Sequence, residues 1–490
     1  MAEPTWPQAV LEDRRTLWIL TILSLFLFAI GNLPWQLDDY DQAKQAFTSF
    51  QMVQEGRWLY QTTPHERIAT KPPLVGWISA GIFSVTRSWE LAWRLPSLLS
   101  AATIAFLLVR FSKSAFGIAP AILTFAAFSF NLMTPRLATL VRTDMPLALV
   151  IFIIGVLIWT KLRTHDSWRP NDRLIIFVLL TAGMLIKGPV VSAFLLPGII
   201  VFQFWRGNGA PSAFPGVWPW VGSLIIFLIW VWGGVRLTPG FYDQVVVREF
   251  LGRFGGEVHR AQPLFFYLPH LLHKFAPWSL LMIALGLVQL RRAHWKWRNI
   301  KISPETSWLV CWSLGGLLMM SLLPSKRVDR IFPVVPPLCL LLGAQLADGF
   351  CIAAMKSRLY RWSAAATGFA VLFTSSYVGW KIITGYRQHR DALVNFGSDV
   401  RKLAAAHQWR YAVMNSPDEG LLLYLRLPRF VRRENAVSDW NNNRIQALVV
   451  AAPEASDLLG ELPEAAPILV ESTAQNGAAY TLLARRNETH

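Results

Sequence analysis

Runs without a charge recur along most of the chain. Thr16–Leu37 and Ser114–Pro135 each extend 22 residues, Gly207–Val235 extends 29 and Trp362–Trp380 extends 19. A bilayer core takes roughly 20 mostly apolar helical residues per crossing. The pattern predicts crossings near 16–35, 91–110, 116–134, 145–161, 174–187, 190–205, 218–235, 276–290, 307–323, 331–348 and 362–383. That is eleven, within a range of about 11–13 for a pattern of this kind. The apolar stretch Pro72–Thr86 is shorter and is expected to form a short, partly inserted or surface helix. From about Gly385 the apolar runs shorten and alternate with polar positions. Arg410–Met414, Gln446–Ala451 and Ala478–Ala484 read as strands, and Glu454–Gly460 as a short helix. The expected organisation is a polytopic α-helical part over 1–384, with a first outer loop at about 36–90, and a small α/β domain over 385–490.

Composition agrees with that class. The chain has 490 residues, 53% hydrophobic and 16% charged, with a formal net charge of +17. The charged share is far below the quarter or so usual in soluble proteins. The positive balance does not indicate nucleic acid, because the basic residues sit in short loops between apolar runs. Arg291–Lys301, Lys161–Arg173, Lys356–Arg361, Arg110–Lys113 and Arg14–Arg15 are expected on the cytoplasmic side. With those loops inside, parity places the N-terminus in the cytoplasm and the C-terminal domain on the extracytoplasmic, periplasmic side of the cell's inner membrane. The first run is too long for a cleaved signal's apolar region and is expected to stay as a spanning helix. Cys311, Cys339 and Cys351 lack metal-ligand spacing and read as small buried hydrophobes.

Parity leaves one group of charges on the outer side, against the positive-inside bias. The first outer loop holds Asp38, Asp39, Asp41, Lys44 and Lys71. Later outer loops hold Arg142 and Asp144, then Lys187, then Arg248, Glu249, Arg253, His259 and Arg260, and finally Lys326, Arg327, Asp329 and Arg330. Ionisable residues beside spanning segments are costly and mark sites. Lysines and arginines with one or two carboxylates suit a phosphate-bearing ligand and the removal of a proton from a nucleophile. No P-loop or Rossmann glycine pattern is present. A lipid-linked phosphate donor fits an outer-face site, because it arrives through the bilayer.

These residues resemble the motifs of GT-C-fold glycosyltransferases of the protein O-mannosyltransferase and lipid A aminoarabinose transferase superfamily. The resemblance runs from about Leu33 to Gly343. It is carried by Asp41-Gln42-Ala43-Lys44, Lys71-Pro72-Pro73-Leu74 with Trp77, Arg94-Leu95-Pro96-Ser97, Arg142-Thr143-Asp144, Lys187-Gly188-Pro189, His259-Arg260-Ala261-Gln262-Pro263, Ala276-Pro277-Trp278-Ser279 and Ser325-Lys326 with Arg330. The resemblance implies an inverting transfer of a sugar from a polyprenyl phosphate to a lipid, glycan or protein acceptor on the extracytoplasmic face, in a cell-envelope role such as lipid A modification. It implies Asp41 as general base, with Asp144 supporting the acceptor or the base. Lys71, Lys187, Arg260, Lys326 and Arg330 would hold the donor phosphate, with Lys44 and His259 nearby. Some members hold a metal with a Glu before Lys-Pro-Pro and the loop histidine. Thr70 replaces that Glu here, so no metal or other cofactor is assigned, and the claim to aminoarabinose as the sugar weakens.

Each assignment has a plainer counterpart. Asp41, Asp38 and Asp39 could cap a helix, and Asp144 could cap the one it precedes. Lys71 could snorkel, and Lys187 could answer a helix C-terminal dipole. His259 could be an ordinary loop histidine. A lipid-linked sugar flippase without chemistry is the alternative function. It would carry charges at the midplane and on both faces.

Overall fold

The computed structural model describes residues 6–37, 40–206, 212–252, 261–295, 302–471 and 479–486. Each of the eleven expected crossings falls on a helix. These are α2 (Arg14–Ile30), α5 (Trp89–Phe116), α6 (Ile118–Ser129), α8 (Asp144–Thr164), α9 (Pro170–Lys187), α10 (Val190–Arg206), α11 (Trp218–Leu237), α13 (Trp278–Arg292), α14 (Pro304–Leu322), α15 (Val335–Phe350) and α16 (Ala353–Arg387). α1 (Trp6–Glu12) precedes them, and between them lie α3 (Tyr40–Glu55), α4 (Leu74–Thr86), α7 (Thr134–Ala138) and α12 (Tyr267–Lys274), with a π-helical stretch at Tyr242–Leu251. Among the described residues, four helical stretches are long and apolar enough by themselves to cross a bilayer: Trp89–Phe116, Asp144–Thr164, Trp218–Leu237 and Val328–Phe350. The bent pair Leu264–Lys274 and Trp278–Arg292, at 103°, makes a fifth if taken as one span. The chain is a multi-pass α-helical membrane protein. α4, at 13 residues, spans only about 20 Å, too short to cross a bilayer core.

Contacts divide the chain into two compact units that are not consecutive in sequence. The first comprises Met1–Gly31, Thr70–Val75 and Arg94–Val378; the second comprises Asn32–Ala69, Gly76–Trp93 and Gly379–His490.

In the first unit the helices approach closely through small residues. A Cβ on Gly315 of α14 would stand 2.5 Å from the backbone nitrogen of Gly198 on α10, and Gly155 of α8 lies flat against the Trp312 ring. In a bilayer, packing rather than hydrophobic exclusion holds helices together, so such glycines set the approach distance. Trp308 Nε1 donates to the Gly155 carbonyl at 2.9 Å, satisfying an indole in the interior. Ser112 and Thr124 join α5 to α6 at 3.1 Å. Cys311 and Cys339 are buried, as expected, whereas Cys351 is exposed because it follows the last turn of α15.

In the second unit, α17 (Ala392–Ala406), α18 (Glu419–Leu425), α19 (Arg433–Asn441) and α20 (Ala452–Leu459) accompany a four-stranded sheet. The sheet order is β1 (Tyr411–Val413), β2 (Ala447–Ala451), β4 (Tyr480–Arg485), β3 (Ala465–Glu471). β1 and β2 pair in parallel, with Tyr411 opposite Ala447, and α18 and α19 supply the crossover that a parallel pair needs. The remaining pairs are antiparallel. Trp440, Leu448, Val450, Leu458 and Leu483 form the core on one face. The strands expected at 410–414, 446–451 and 478–484 are β1, β2 and β4. β3 is an edge strand whose Pro467 sits at a register shift, which removes the alternation that marks a strand in sequence.

Candidate active site

The first unit gathers its charges at one end of the α8–α9 hairpin. The 21 residues of α8 rise about 31 Å, close to the thickness of a bilayer core. At one end Lys161 pairs with Asp172 at 2.7 Å, inside the basic loop expected to be cytoplasmic. At the other end Asp144 opens α8 and Lys187 closes α9, and Lys187 Nζ meets Asp144 Oδ1 at 2.5 Å. The local sequence dictates both positions. Thr143 occupies the cap position of α8, so Asp144 is not the cap; its carboxylate is spent on the ion pair. Gly188 has φ +73°, a region an L side chain rarely adopts, and it stops α9 directly after Lys187. The plainer reading of Lys187 as a dipole partner is compatible with this position.

Further cations surround the pair. Lys71 and Arg142 lie within electrostatic reach of Asp144, and Lys71 and Arg330 within reach of Lys187. Arg142, itself buried, donates to Asp329 Oδ2 at 3.0 Å, and Arg136 reaches Asp329 Oδ1 at 3.4 Å. Arg330 donates to the Ser325 carbonyl at 2.9 Å and to Ser325 Oγ at 3.1 Å, which fixes the guanidinium. Ser97 Oγ donates to the Leu140 carbonyl at 2.7 Å, tying the turn before Asp144 to α5. Lys326 is 7% exposed and donates to the Gln262 carbonyl at 3.0 Å, while the Gln262 amide donates to Pro324 at 3.1 Å. Thus Lys71, Asp144, Lys187 and Arg330 come together, with Lys326 held two residues from the Pro324 contact. His259 and Arg260 lie outside the described residues, as do Asp38 and Asp39.

Cations outnumber carboxylates here: Lys71, Arg142, Lys187 and Arg330 against Asp144 and Asp329. Such an excess, prepaired and largely out of water, is suited to receive a phosphate without first reorganising. Asp329 and the buried Tyr267, which lies within reach of Arg330 and Asp144, were not singled out as site residues from sequence. Asp329 is visible in the run Ser325–Arg330; nothing in the sequence distinguishes Tyr267 from other interfacial aromatics.

The second unit holds Asp41 and Lys44. Asp41 lies in the first turn of α3, where a carboxylate is favoured by the helix dipole, and the Lys44 ammonium sits 5.6 Å from the Tyr40 ring centre. The return segment after α3 forms a tight turn. The Thr63 amide donates to the Arg67 carbonyl at 2.6 Å, and the Glu66 amide to Thr63 at 2.9 Å. The turn presents His65, stacked on Phe430 at 5.3 Å with Nε2 3.9 Å from Glu419 Oε1. His65, Arg67 and Glu419 had no signal in the sequence, because their neighbourhood depends on a segment more than 350 residues away. Among the described residues no three His, Cys, Asp or Glu side chains gather to hold a metal ion. Thr70 stands where the resemblance implies a carboxylate ligand, and His259, the other implied ligand, lies outside the described residues.

Comparison with known proteins agrees with the motifs. Residues 70–232 match the family described as dolichyl-phosphate-mannose-protein mannosyltransferase. The undecaprenyl phosphate-alpha-4-amino-4-deoxy-L-arabinose arabinosyl transferase of Shewanella sediminis is 25% identical over 350 residues, covering 69% of this chain and 61% of that protein. Its counterpart designated 1 in Sodalis glossinidius is 25% identical over 396 residues, covering 74% and 64%. The chain therefore spans 61% and 64% of the lengths of these two curated relatives. The crystal structure of ArnT from Cupriavidus metallidurans bound to undecaprenyl phosphate superposes with TM-score 0.70 at 17% identity, over 96% of this chain and 97% of that one. The archaeal oligosaccharyltransferase AglB from Archaeoglobus fulgidus, in complex with an inhibitory peptide and a dolichol-phosphate, gives 0.52 at 12% identity, over 92% and 70%. The fold is that of the GT-C glycosyltransferases, and the similarity to the mannosyltransferase and aminoarabinose transferase superfamily expected from the motifs is present in both sequence and fold.

Proposed function

We propose that this protein is a polyprenyl-phosphate-dependent glycosyltransferase of the inner membrane. It moves a sugar to a hydroxyl on a lipid, glycan or protein at the extracytoplasmic face, with the N-terminus cytoplasmic. The observation that carries this reading is the excess of fixed cations around the buried Asp144–Lys187 pair. It is supported by relatives named for transfer from an undecaprenyl phosphate sugar.

In the proposed reaction the first unit binds the donor. Lys71, Lys187 and Arg330, with Lys326 and Arg260, hold the phosphate. As the bond between the anomeric carbon and the phosphate oxygen breaks, negative charge grows on that phosphate. Cations already in place stabilise the charge more in the transition state than in the ground state, which lowers the barrier. Asp144 keeps Lys187 extended toward the incoming phosphate and prevents the cations from repelling one another while the site is vacant. Asp41 takes the proton from the acceptor hydroxyl, and the resulting oxygen attacks the anomeric carbon opposite the leaving phosphate, inverting it. No step is routed through a metal ion.

The test is a transfer assay with radiolabelled polyprenyl-phosphate sugars and membrane extracts as acceptor. Wild-type protein should label an acceptor, and Asp41→Asn should not, while still inserting in the membrane. Movement of labelled lipid between leaflets with no labelled product would instead support the flippase.

A further inference from the structure

We propose that Glu419, on the C-terminal helix α18, is a positioning residue for Asp41: its carboxylate, when ionised, makes Asp41 a stronger base toward the acceptor proton. This inference rests on the reading of Asp41 as the base.

All the groups concerned belong to the second unit. α18 packs on the backbone at Leu37, ahead of α3. The Leu37 amide donates to Tyr424 Oη at 2.5 Å, and a Cβ on Gly420 would stand 2.8 Å from the Leu37 carbonyl oxygen. Glu419 opens α18 and Asp41 lies in the first turn of α3, and the two helices pack against each other. Glu419 is 5% exposed. Its Oε1 faces His65 Nε2 at 3.9 Å, and its Oε2 is buried with no hydrogen-bond partner among the described residues. A buried carboxylate oxygen without a partner is costly, and such groups are retained where their charge acts on a neighbour.

The surroundings show what that charge senses. Asp41 and Lys44 of α3 and Arg67 of the turn after it lie within electrostatic reach of Glu419, and His65 of the same turn faces its Oε1. On its own helix, Asp418 accepts from Tyr480 Oη at 2.7 Å, and Arg426 pairs with Glu90 at 2.7 Å. On the packed α17, Arg401 donates to the Gly397 carbonyl and Lys402 pairs with Asp399, so these charges are engaged there. Burial, the largest influence, pushes the Glu419 carboxyl up; Lys44 and Arg67 pull it down, Asp41 pushes it up, and it rests at about 7. Burial and Arg67 hold His65 below the ordinary imidazole value, so near pH 7 the histidine is largely neutral. Glu419 therefore ionises close to neutrality. Once ionised, it repels the charge on Asp41 and so raises the proton affinity of Asp41, making it a stronger base.

The experiment is the pH dependence of transfer by the full chain in nanodiscs, for wild type, Glu419→Gln, Glu419→Asp and Arg67→Gln. Wild-type kcat should rise through an inflection near pH 7. Glu419→Gln should lose that inflection and about three- to tenfold of kcat at pH 8, with KM for the donor unchanged. Glu419→Asp should restore the inflection, and Arg67→Gln should move it to higher pH by removing a charge that favours ionisation. The Arg67 shift reads the same linkage if Glu419→Gln does not fold. A wild-type profile in Glu419→Gln, or an unmoved inflection in Arg67→Gln, overturns the inference while inactive Asp41→Asn keeps the base reading intact. Wild-type turnover by Asp41→Asn overturns the base reading itself.

Discussion

Asp144 and Lys187 should behave as one energetic unit. At about 3 Å and an effective dielectric of about 20, two opposite charges attract by roughly 5–6 kcal/mol, and desolvation of both ions offsets much of that. The intact pair therefore contributes little net stability. Removing one partner strands the other: Asp144→Asn leaves the Lys187 ammonium beside Lys71 and Arg330, and Lys187→Met leaves a carboxylate in a nearly closed site. Each single substitution should cost about 3–5 kcal/mol, whereas the double variant should cost far less than their sum. The assay is a double-mutant cycle on the purified protein, reading unfolding in mixed micelles. Coupling of about 2–3 kcal/mol or more is the expected result. Lys187→Met and the double variant should both lose transfer, because recovery of stability in the double variant does not restore the cation proposed to face the phosphate. Additive effects on stability, agreeing within about 0.5 kcal/mol, would mean that the two side chains do not hold each other, and the prepaired-site reasoning would fail.

Lys71→Ala and Arg330→Ala should each weaken binding of undecaprenyl phosphate by roughly 10–100-fold, the equivalent of a lost charge-assisted hydrogen bond of about 1.5–3 kcal/mol; equal affinities in a lipid-binding assay would refute their role. Gly315→Leu should destabilise the α10–α14 contact by about 1–3 kcal/mol or more, seen as a lower melting temperature in detergent, because its Cβ would meet the Gly198 backbone. Treatment with a chelator should leave the transfer rate unchanged; loss of activity that zinc or magnesium restores would bring a metal back into the mechanism. The Glu419 carboxyl, raised to about 7 in the folded protein from an ordinary value near 4.5, should contribute most to the stability of the second unit below pH 4.5 and progressively less up to about pH 7. Glu419→Gln should flatten that decline in a thermal-shift series, and an equally steep decline would contradict it.

The helical part of the fold was legible because its signal is local. A run such as Trp362–Trp380 has to be helical in a bilayer, and α16 covers it whole. The meeting of Asp144 and Lys187 was legible for a related reason. Asp144 and Lys187 sit at the start of α8 and the end of α9, so two consecutive antiparallel helices bring them together, and sequence order alone implies the meeting. Arg330 could be anticipated from its place beside a spanning segment, but its anchoring by the Ser325 carbonyl could not, since backbone geometry has no counterpart in residue type. β3 escaped because Ala465, Ala466 and Pro467 carry no strand pattern, and its pairing is supplied by β4.

The acceptor side was harder to read, and the reason is topological. Asp41 belongs to a segment of 38 residues that folds with the end of the chain rather than with the helices on either side of it. The surroundings of Asp41 are therefore written about 380 residues downstream, in Gly420, Tyr424 and Glu419. A polar residue in that distant segment is indistinguishable, by composition, from any solvated carboxylate. Only its burial sets it apart, and burial at Glu419 requires α18 to close on the backbone at Leu37. This has a functional consequence. In the proposed reaction the phosphate-holding cations belong to the first unit and Asp41 to the second, so the second unit can vary with the acceptor while the first stays as it is. Exchanging the segment that contains α18 between relatives of different acceptor preference should then alter acceptor choice and pH dependence together, and leave donor affinity where it was.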